Sequence, residues 1–240
     1  MRTKKLDVGC VSRSYQELAA TDTCEELMRY WKQEHLEERP EHYRSYGSEQ
    51  IDKVSFVEDG ILSPRRYTAL QAPAKRYLFI SKEANISMDG EESWCGKGFW
   101  LREVAAGSCP QTNFSRRLGM LYSAAVSGDF ARPDKSGSLL PEIAFMNLNK
   151  RGGASRCCWH TLRCYTQKYA GYIRREIELI GPQVIVCCGG GVQNLLEQYV
   201  GADALRPYTV LSVYHPSYRC ADEKHLAKLH DRLLARGLCR

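Results

Sequence analysis

Four short apolar runs, separated by stretches with helical spacing, constrain the fold of this 240-residue chain more than any other feature. Strands that alternate with helices are typical of a parallel sheet with helices on both faces. The sequence therefore predicts a three-layer α/β/α domain built around a central four-stranded parallel sheet. The predicted strands are residues 77–80, 142–147, 184–188 and 210–214.

The first 75 residues do not follow this alternation. Apolar residues between Tyr15 and Leu36 recur with helical spacing, which predicts a helix that Asp22 or Thr23 can cap. The basic and aromatic stretch 64–67 fits either a nucleic-acid groove or a solvated surface. We expect residues 1–75 to form a mainly helical N-terminal elaboration packed on an α/β domain of residues 76–240.

Composition sets further limits. The net charge of +6 permits a partner with phosphates, and no apolar run approaches the roughly 18 residues of a membrane span. The first residues lack the apolar core of a secretory signal. We therefore expect a cytoplasmic protein with no membrane contact, and we expect it to act as a monomer.

The 11 cysteines are odd in number and include two adjacent pairs, which is unlike a disulfide framework. We expect no metal and no cofactor. A zinc or iron–sulfur site built from Cys157, Cys158, Cys164 and a remote cysteine stays open as the alternative. The triple glycine 189–191 lacks the dinucleotide-binding spacing, so close packing of a strand on a helix is its expected use.

Polar residues follow three of the predicted strands: Glu83, Asn147 and His215. Pro216 cannot donate to a sheet ladder, so the fourth strand must end beside His215. The carboxyl ends of parallel strands share one edge of a sheet, where α/β proteins bind ligands. We therefore expect the three side chains to meet there. A histidine that merely caps a turn is the alternative interpretation of His215.

A carboxylate, an amide and an imidazole are the groups needed to break a nucleoside's bond between base and sugar. The carboxylate stabilises the cationic sugar and orients water, while the histidine stabilises the base that leaves with negative charge. An asparagine amide carries both an acceptor and donors, so it can read a base edge.

The order of these motifs resembles the uracil-DNA glycosylase superfamily over about residues 76–236. The resemblance rests on the loops at Glu83 and Asn147, on Gly181-Pro182 before the third strand, and on the run Tyr214-His-Pro-Ser217. It implies a uracil-DNA glycosylase-like fold. It also implies an enzyme that flips a nucleotide out of double-stranded DNA and hydrolyses the base–sugar bond without a metal, leaving an abasic site.

The same resemblance implies the roles of individual residues. Glu83, Asn147 and His215 are expected to be catalytic, with His215 contacting the leaving base and Asn147 reading it. Phe99 or Trp100 is expected to stack on the flipped base.

Two further segments are expected to bind DNA. Ser217, Tyr218 and Arg219 follow the histidine, and the last two occupy the place of the wedge that fills the hole in the base stack. Lys150 and Arg151 carry two cations beside the second motif, where a phosphate is a natural partner. A charged surface turn is the alternative for this second segment.

The first motif, Ser81-Lys-Glu-Ala-Asn85, departs from the family pattern. Without a gap, Glu83 takes the position of the family's aspartate, and Asn85 takes that of a tyrosine that rejects bases substituted at C5. A shift by one residue instead places Ala84 at the acid position. We prefer the ungapped register, which makes Asn85 a base-binding residue and leaves the C5 side open.

An open C5 side favours a 5-modified cytosine as the substrate, such as the glucosylated hydroxymethylcytosine of phage DNA, and hence a role in antiviral defence. An asparagine that reads uracil can also read cytosine if its amide is turned over. Excision of uracil or a deaminated base in DNA repair is the first alternative. A non-catalytic DNA-binding member of the fold and a flavodoxin-like nucleotide or flavin protein are the others.

Cleavage of the base alone is expected, although Lys82 or Lys150 is an amine able in principle to attack the sugar. The sequence leaves open which base is removed and whether single or double strands are preferred.

Overall fold

In the computed structural model of the chain, the described residues are 12–37, 55–70, 75–85, 95–109, 112–153 and 157–239. Their strands are β1 (Phe56–Glu58), β2 (Gly60–Ile61), β3 (Tyr77–Asn85), β4 (Cys95–Lys97), β5 (Ala144–Gly153), β6 (Val184–Cys188) and β7 (Thr209–Val213). Their helices are α1 (Tyr15–Leu18), α2 (Cys24–Leu36), α3 (Pro64–Thr68), α4 (Phe99–Ala105), α5 (Asn113–Ser127), α6 (Trp159–Lys168), α7 (Ala170–Ile180), α8 (Val192–Leu195), α9 (Ala202–Leu205) and α10 (Asp222–Leu234). A 3-10 turn (Leu140–Glu142) precedes β5, and a π-helical segment (Leu196–Gly201) joins α8 to α9.

The central sheet has the strand order β2-β5-β3-β6-β7. The four predicted strands are present as β3, β5, β6 and β7, and each pairs in parallel with its neighbour. The predicted four-stranded sheet was nevertheless wrong in number and in type. The two residues of β2 pair antiparallel with the start of β5, which makes the sheet five-stranded and mixed. A two-residue strand carries no periodicity that a sequence pattern can reveal.

Side chains alternate between the two faces of the sheet, and each face has its own hydrophobic cluster. Leu78 and Ile80 of β3 lie in one cluster, with apolar residues of α2, α6 and α7. Tyr77 and Phe79 lie in the other, with residues of α5 and α10. Helices therefore cover both faces, as the predicted three-layer architecture requires.

The described part of the N-terminal region packs on the first of these faces. Trp31 of α2 is fully buried against three tyrosines of α6 and α7, which are Tyr165, Tyr169 and Tyr172. Thr23 caps α2 by accepting the backbone N–H of Glu26 at 3.1 Å. The division of the chain at residue 75 stays a prediction. Residues from both sides of it share this cluster.

Candidate active site

His215 follows β7, which lies two strands away from β3, yet its Nε2 is 3.0 Å from Ser81 Oγ on β3. The imidazole crosses the end of β6 at Gly189. A Cβ on this glycine would lie 3.4 Å from His215 Cβ and 3.3 Å from Lys82 Cε, and its φ of +110° also favours glycine. Gly189 therefore provides the space through which the histidine reaches the end of β3.

The protonation of His215 follows from its contacts. Its Nδ1 accepts the backbone N–H of Ser217 at 3.2 Å, so in the neutral ring the proton is on Nε2. Burial, together with the charge of Lys82 and the proximity of His225, lowers the pKa of His215 to about 4. At neutral pH the ring is uncharged and offers an N–H donor at the sheet edge.

Arg117 of α5 braces the loop that follows His215. Its guanidinium donates to the backbone carbonyls of Pro216, Tyr218 and Cys220 at 2.8–2.9 Å, and to Asp222 at 3.1 Å. The side chains of Ser217, Tyr218 and Arg219 are exposed, and Tyr218 stacks on Tyr214 with ring centroids 5.4 Å apart. The loop thus has a fixed backbone and side chains that face solvent.

Glu83 lies two residues beyond Ser81 on β3, roughly 7 Å further along the strand. Asn149 donates to Glu83 Oε2 at 3.1 Å from the paired position on β5. Burial raises the pKa of Glu83 to about 7, whereas hydrogen bonds from Asn149 and Cys157 and the charge of Lys82 act in the opposite direction. The carboxyl is therefore partly protonated at neutral pH.

Gly153 leaves room for this carboxyl. A Cβ at Gly153 would lie 2.3 Å from Glu83 Cδ, closer than any real contact, so a side chain there would displace the acid. The absence of a side chain at Gly153 thus allows the Glu83 carboxyl to occupy this position near the end of β3.

Asn147 pairs in register with Ser81, which places it one strand further from His215. It is only 4% exposed. Its backbone N–H donates to Asp59 Oδ2 at 2.6 Å, and its side-chain Nδ2 lies 3.3 Å from the same oxygen. The three predicted catalytic residues therefore share one sheet edge. Ser81 contacts His215 and is paired in register with Asn147, and Asn149 donates a hydrogen bond to Glu83.

Lys150 contradicts the prediction that it contacts a DNA phosphate. Its side chain is 0% exposed, and its ammonium pairs with Asp59 and with Glu176, the latter at 2.8 Å. Arg151 is 6% exposed and also lies below the surface. The pair therefore does not form a surface turn either. The charge of Lys150 can be buried because Asp59 and Glu176, which are distant in the sequence, pack against β5 and pair with the lysine.

Aromatic side chains line one side of the site. Trp100 stacks on Phe145 with ring centroids 5.4 Å apart and meets Phe114 edge-on at 5.1 Å. Phe114 also lies 5.4 Å from the ring of His215. Phe114 was not among the residues predicted for the site, because a helical pattern does not reveal that this ring lies beside His215. Phe99 is half-buried at the start of α4.

The predicted base contact of Asn85 depends on a side chain that lies outside the described part of the structure. The backbone of Asn85 pairs with Gly153, and the ladder is irregular between Glu83 and Asn85. The register of this motif relative to the family stays a prediction.

Lys82 and Trp159 form the opposite rim. The Lys82 ammonium lies 4.8 Å from the centre of the Trp159 ring, which is 40% exposed. A Cβ on Gly191 would lie 2.8 Å from Trp159, so this glycine permits close approach of α6, in line with the expected use of the triple glycine.

Three cysteines lie close to this rim as free thiols: Cys157, Cys158 and Cys164. Cys164 Sγ is 3.3 Å from His160 Nε2. Within the residues that the structure describes, no group of three or more His, Cys, Asp and Glu side chains is arranged to hold a metal ion. In the same part of the chain, no helix has both the length and the hydrophobicity to cross a bilayer.

A family model described as the uracil DNA glycosylase superfamily matches residues 111–234, just over half of the chain. The matched region includes β5, β6 and β7, and therefore Asn147 and His215. It begins after β3, so Glu83 lies outside it. A search of curated proteins gave no significant match.

Proposed function

This chain belongs to the uracil-DNA glycosylase superfamily, and we propose that it is a monofunctional DNA glycosylase. It extrudes a nucleotide from double-stranded DNA and hydrolyses the bond between base and sugar, leaving an abasic site. One observation supports this most strongly. An acid whose pKa is raised to about 7 and a neutral imidazole lie at the carboxyl edge of the same sheet.

The chemistry assigns one role to each group. As the C1′–N bond breaks, its electron pair leaves with the base, and the Nε2–H of His215 donates to the base oxygen on which charge develops. The ionised Glu83 stabilises the cationic sugar and accepts a proton from the water whose oxygen bonds to C1′. The departing base then takes a proton from solvent.

Water is the proposed nucleophile, in preference to the amine of Lys150 or Lys82. The Lys150 ammonium is fully buried between two carboxylates, so its amine cannot reach a sugar. Lys82 is half-buried, and its ammonium lies over the ring of Trp159. Attack by a lysine would form a covalent bond between the enzyme and the sugar, and we assign this step to water instead.

Binding of DNA is assigned to the exposed loop after His215. Tyr218 is 56% exposed on a backbone that Arg117 fixes, which suits a side chain that enters the gap left by an extruded base. Ser217 and Arg219 are exposed beside it and are proposed to contact phosphates. Trp100 and Phe114 are proposed to form the wall against which the flipped base packs.

The proposed substrate is a 5-modified cytosine, such as glucosylated hydroxymethylcytosine in phage DNA, which would make the protein an antiviral enzyme. The support comes from the ungapped register that we prefer, in which Asn85 takes the position where the best-known branch of the family has a tyrosine that excludes C5 substituents. The second candidate is excision of uracil or a deaminated base during repair. The buried amide of Asn147 carries both an acceptor and donors, so it has the groups needed to read uracil as well as cytosine.

The deciding experiment is mass spectrometry of bases released from glucosylated phage DNA, hydroxymethylcytosine DNA and uracil-containing DNA. Release of the modified cytosine supports the proposal, and release of uracil alone refutes the antiviral role. Glu83→Gln and His215→Ala are expected to bind DNA as the wild type does while losing base release. If wild-type protein binds DNA and releases no base from any substrate, the chain is a non-catalytic binder.

A further inference from the structure

Asp59 is a buried carboxylate that the proposed chemistry does not use. It lies between β1 and β2 and is 9% exposed. Its Oδ2 accepts the backbone N–H of Asn147 at 2.6 Å and lies 3.3 Å from the Nδ2 of the same residue. Its Oδ1 pairs with the Lys150 ammonium.

These contacts fix which way the amide of Asn147 points. As the partner of the Lys150 ammonium, Asp59 is a carboxylate, which accepts hydrogen bonds and has no proton to donate. With the amide as it stands, Nδ2 donates to Asp59. Turned over, Asn147 would set Oδ1 against a carboxylate oxygen, so that a buried hydrogen bond would be replaced by two facing acceptors.

The orientation of this amide matters because pyrimidines differ at the edge it would read. A cytosine derivative carries an amino donor at C4 beside an acceptor at N3, whereas a uracil derivative has an acceptor at C4 and a donor at N3. One amide orientation satisfies one of these patterns, and the other pattern requires the amide to turn over.

We propose that Asp59 is a positioning residue that holds the Asn147 amide in one orientation, so that the site discriminates between 4-amino and 4-oxo pyrimidines. The proposed cytosine substrate makes the 4-amino class the one that is accepted. This inference rests on the proposed function, in which Asn147 reads the flipped base. It also restricts that function, because an enzyme with a fixed amide does not excise both classes equally.

Glu176 supplies a matched control. Lys150 lies between Asp59 and Glu176, so neutralising either carboxylate leaves the lysine one partner. Asp59 contacts Asn147, and the described contacts of Glu176 do not include that residue. Asp59→Asn and Glu176→Gln each replace one buried carboxyl group beside Lys150 with an amide, but only the first removes the acceptor that holds the Asn147 amide.

The test compares excision from two duplexes that carry 5-hydroxymethylcytosine or 5-hydroxymethyluracil at the same position. These bases share the C5 substituent and differ at the C4 and N3 edge. For wild type we expect initial rates that favour the 4-amino base by about tenfold or more. In Asp59→Asn we expect this ratio to fall about tenfold, because an asparagine can face either end of the Asn147 amide. In Glu176→Gln the ratio should stay within about twofold of wild type.

Two outcomes would overturn the proposal: an unchanged ratio in Asp59→Asn, which includes an equal loss of rate on both bases, or the same change of ratio in Glu176→Gln. A wild-type preference for the 4-oxo base that collapses in Asp59→Asn would support the fixed amide and refute the cytosine substrate.

A measurement without catalysis separates this inference from the proposed function and serves if the variant does not fold. In nitrogen-15 spectra of wild-type protein, one Nδ2 proton of Asn147 should exchange slowly with solvent, because it is buried and bound to a carboxylate. Fast exchange of both protons refutes the fixed amide, whatever base is released. Slow exchange with no base release supports the positioning role and refutes the glycosylase.

Discussion

Two groups of buried ionisable side chains lie beside the end of β5, and they differ in their partners. In the first, which we call the closed cluster, Lys150 is fully buried between Asp59 and Glu176. In the second, the open cluster, Glu83 contacts the neutral groups of Asn149 and Cys157. Lys150 is thus a buried charge in contact with opposite charges, whereas the buried carboxyl of Glu83 contacts only neutral dipoles.

The consequence appears in the protonation of the two carboxyl groups. Burial is the largest influence on both, and it raises the pKa of Glu176 as well as that of Glu83. Lys150 opposes this effect in the closed cluster by direct contact, whereas Lys82 acts on Glu83 without a described ion pair. A buried group with contacting counter-charges supports the fold, while one without them remains available for proton transfer.

The largest expected effect is the loss of activity in Glu83→Gln. Base release should fall by about 10²- to 10⁴-fold, because the amide cannot accept a proton from water. Initial rates of base release measure this. Glu58→Gln, which removes a carboxylate paired with Lys32 outside the site, is the control and should retain its rate. Comparable activity in Glu83→Gln would mean that this acid is not the proton acceptor.

The closed cluster predicts the next effect, which concerns stability. Lys150→Met should lower the free energy of unfolding by about 3–5 kcal/mol, because it leaves buried carboxylates without a counter-charge. Lys82→Met, in the open cluster, should change it by under about 0.5 kcal/mol. Urea unfolding of both variants measures the difference. Equal effects would remove the distinction between the two clusters.

The raised pKa of Glu83 predicts the pH dependence of the reaction. Since the ionised form is required and the pKa is about 7, the rate of base release should fall roughly fiftyfold between pH 7 and pH 5. The pKa of His215, lowered to about 4, keeps that ring neutral throughout this range. A rate that is flat from pH 5 to pH 8 would contradict the assignment.

The same shift has a consequence for stability. Folded Glu83 holds a proton that the unfolded chain has already released, so its contribution to stability is complete below about pH 4.5 and is lost as the pH rises through 7. The free energy of unfolding of Glu83→Gln, relative to that of wild type, should therefore be higher at pH 8 than at pH 5. Urea unfolding of both proteins at the two pH values measures this difference.

The smallest expected effect comes from Gly153→Ala, which changes no ionisable group. The new Cβ would displace the Glu83 carboxyl and should lower activity about tenfold while the fold persists. Gly190→Ala is a matched control, because a Cβ there meets no atom within 4 Å. Equal activities of the two variants would mean that the position of the acid is not critical.

The sequence alone determined the layers of this protein and the edge of the sheet at which its polar residues collect. Apolar runs and helical spacing are local patterns, and Pro216 ends a strand by its own covalent structure. Glu83, Asn147 and His215 were therefore assigned to the ends of three parallel strands. His215 follows β7, whereas Glu83 and Asn147 lie inside β3 and β5, which extend beyond their predicted ends to Asn85 and Gly153.

Only the tertiary structure decided which groups contact one another. Lys150 was expected to contact a DNA phosphate or to lie in a charged surface turn, whereas it is buried against Asp59, which lies 91 residues away in the sequence. Ser81 and Asn149 became part of the site through strand register, and Gly189 through the passage of His215 over β6. Such contacts depend on distances between segments remote in the chain, which no local pattern contains.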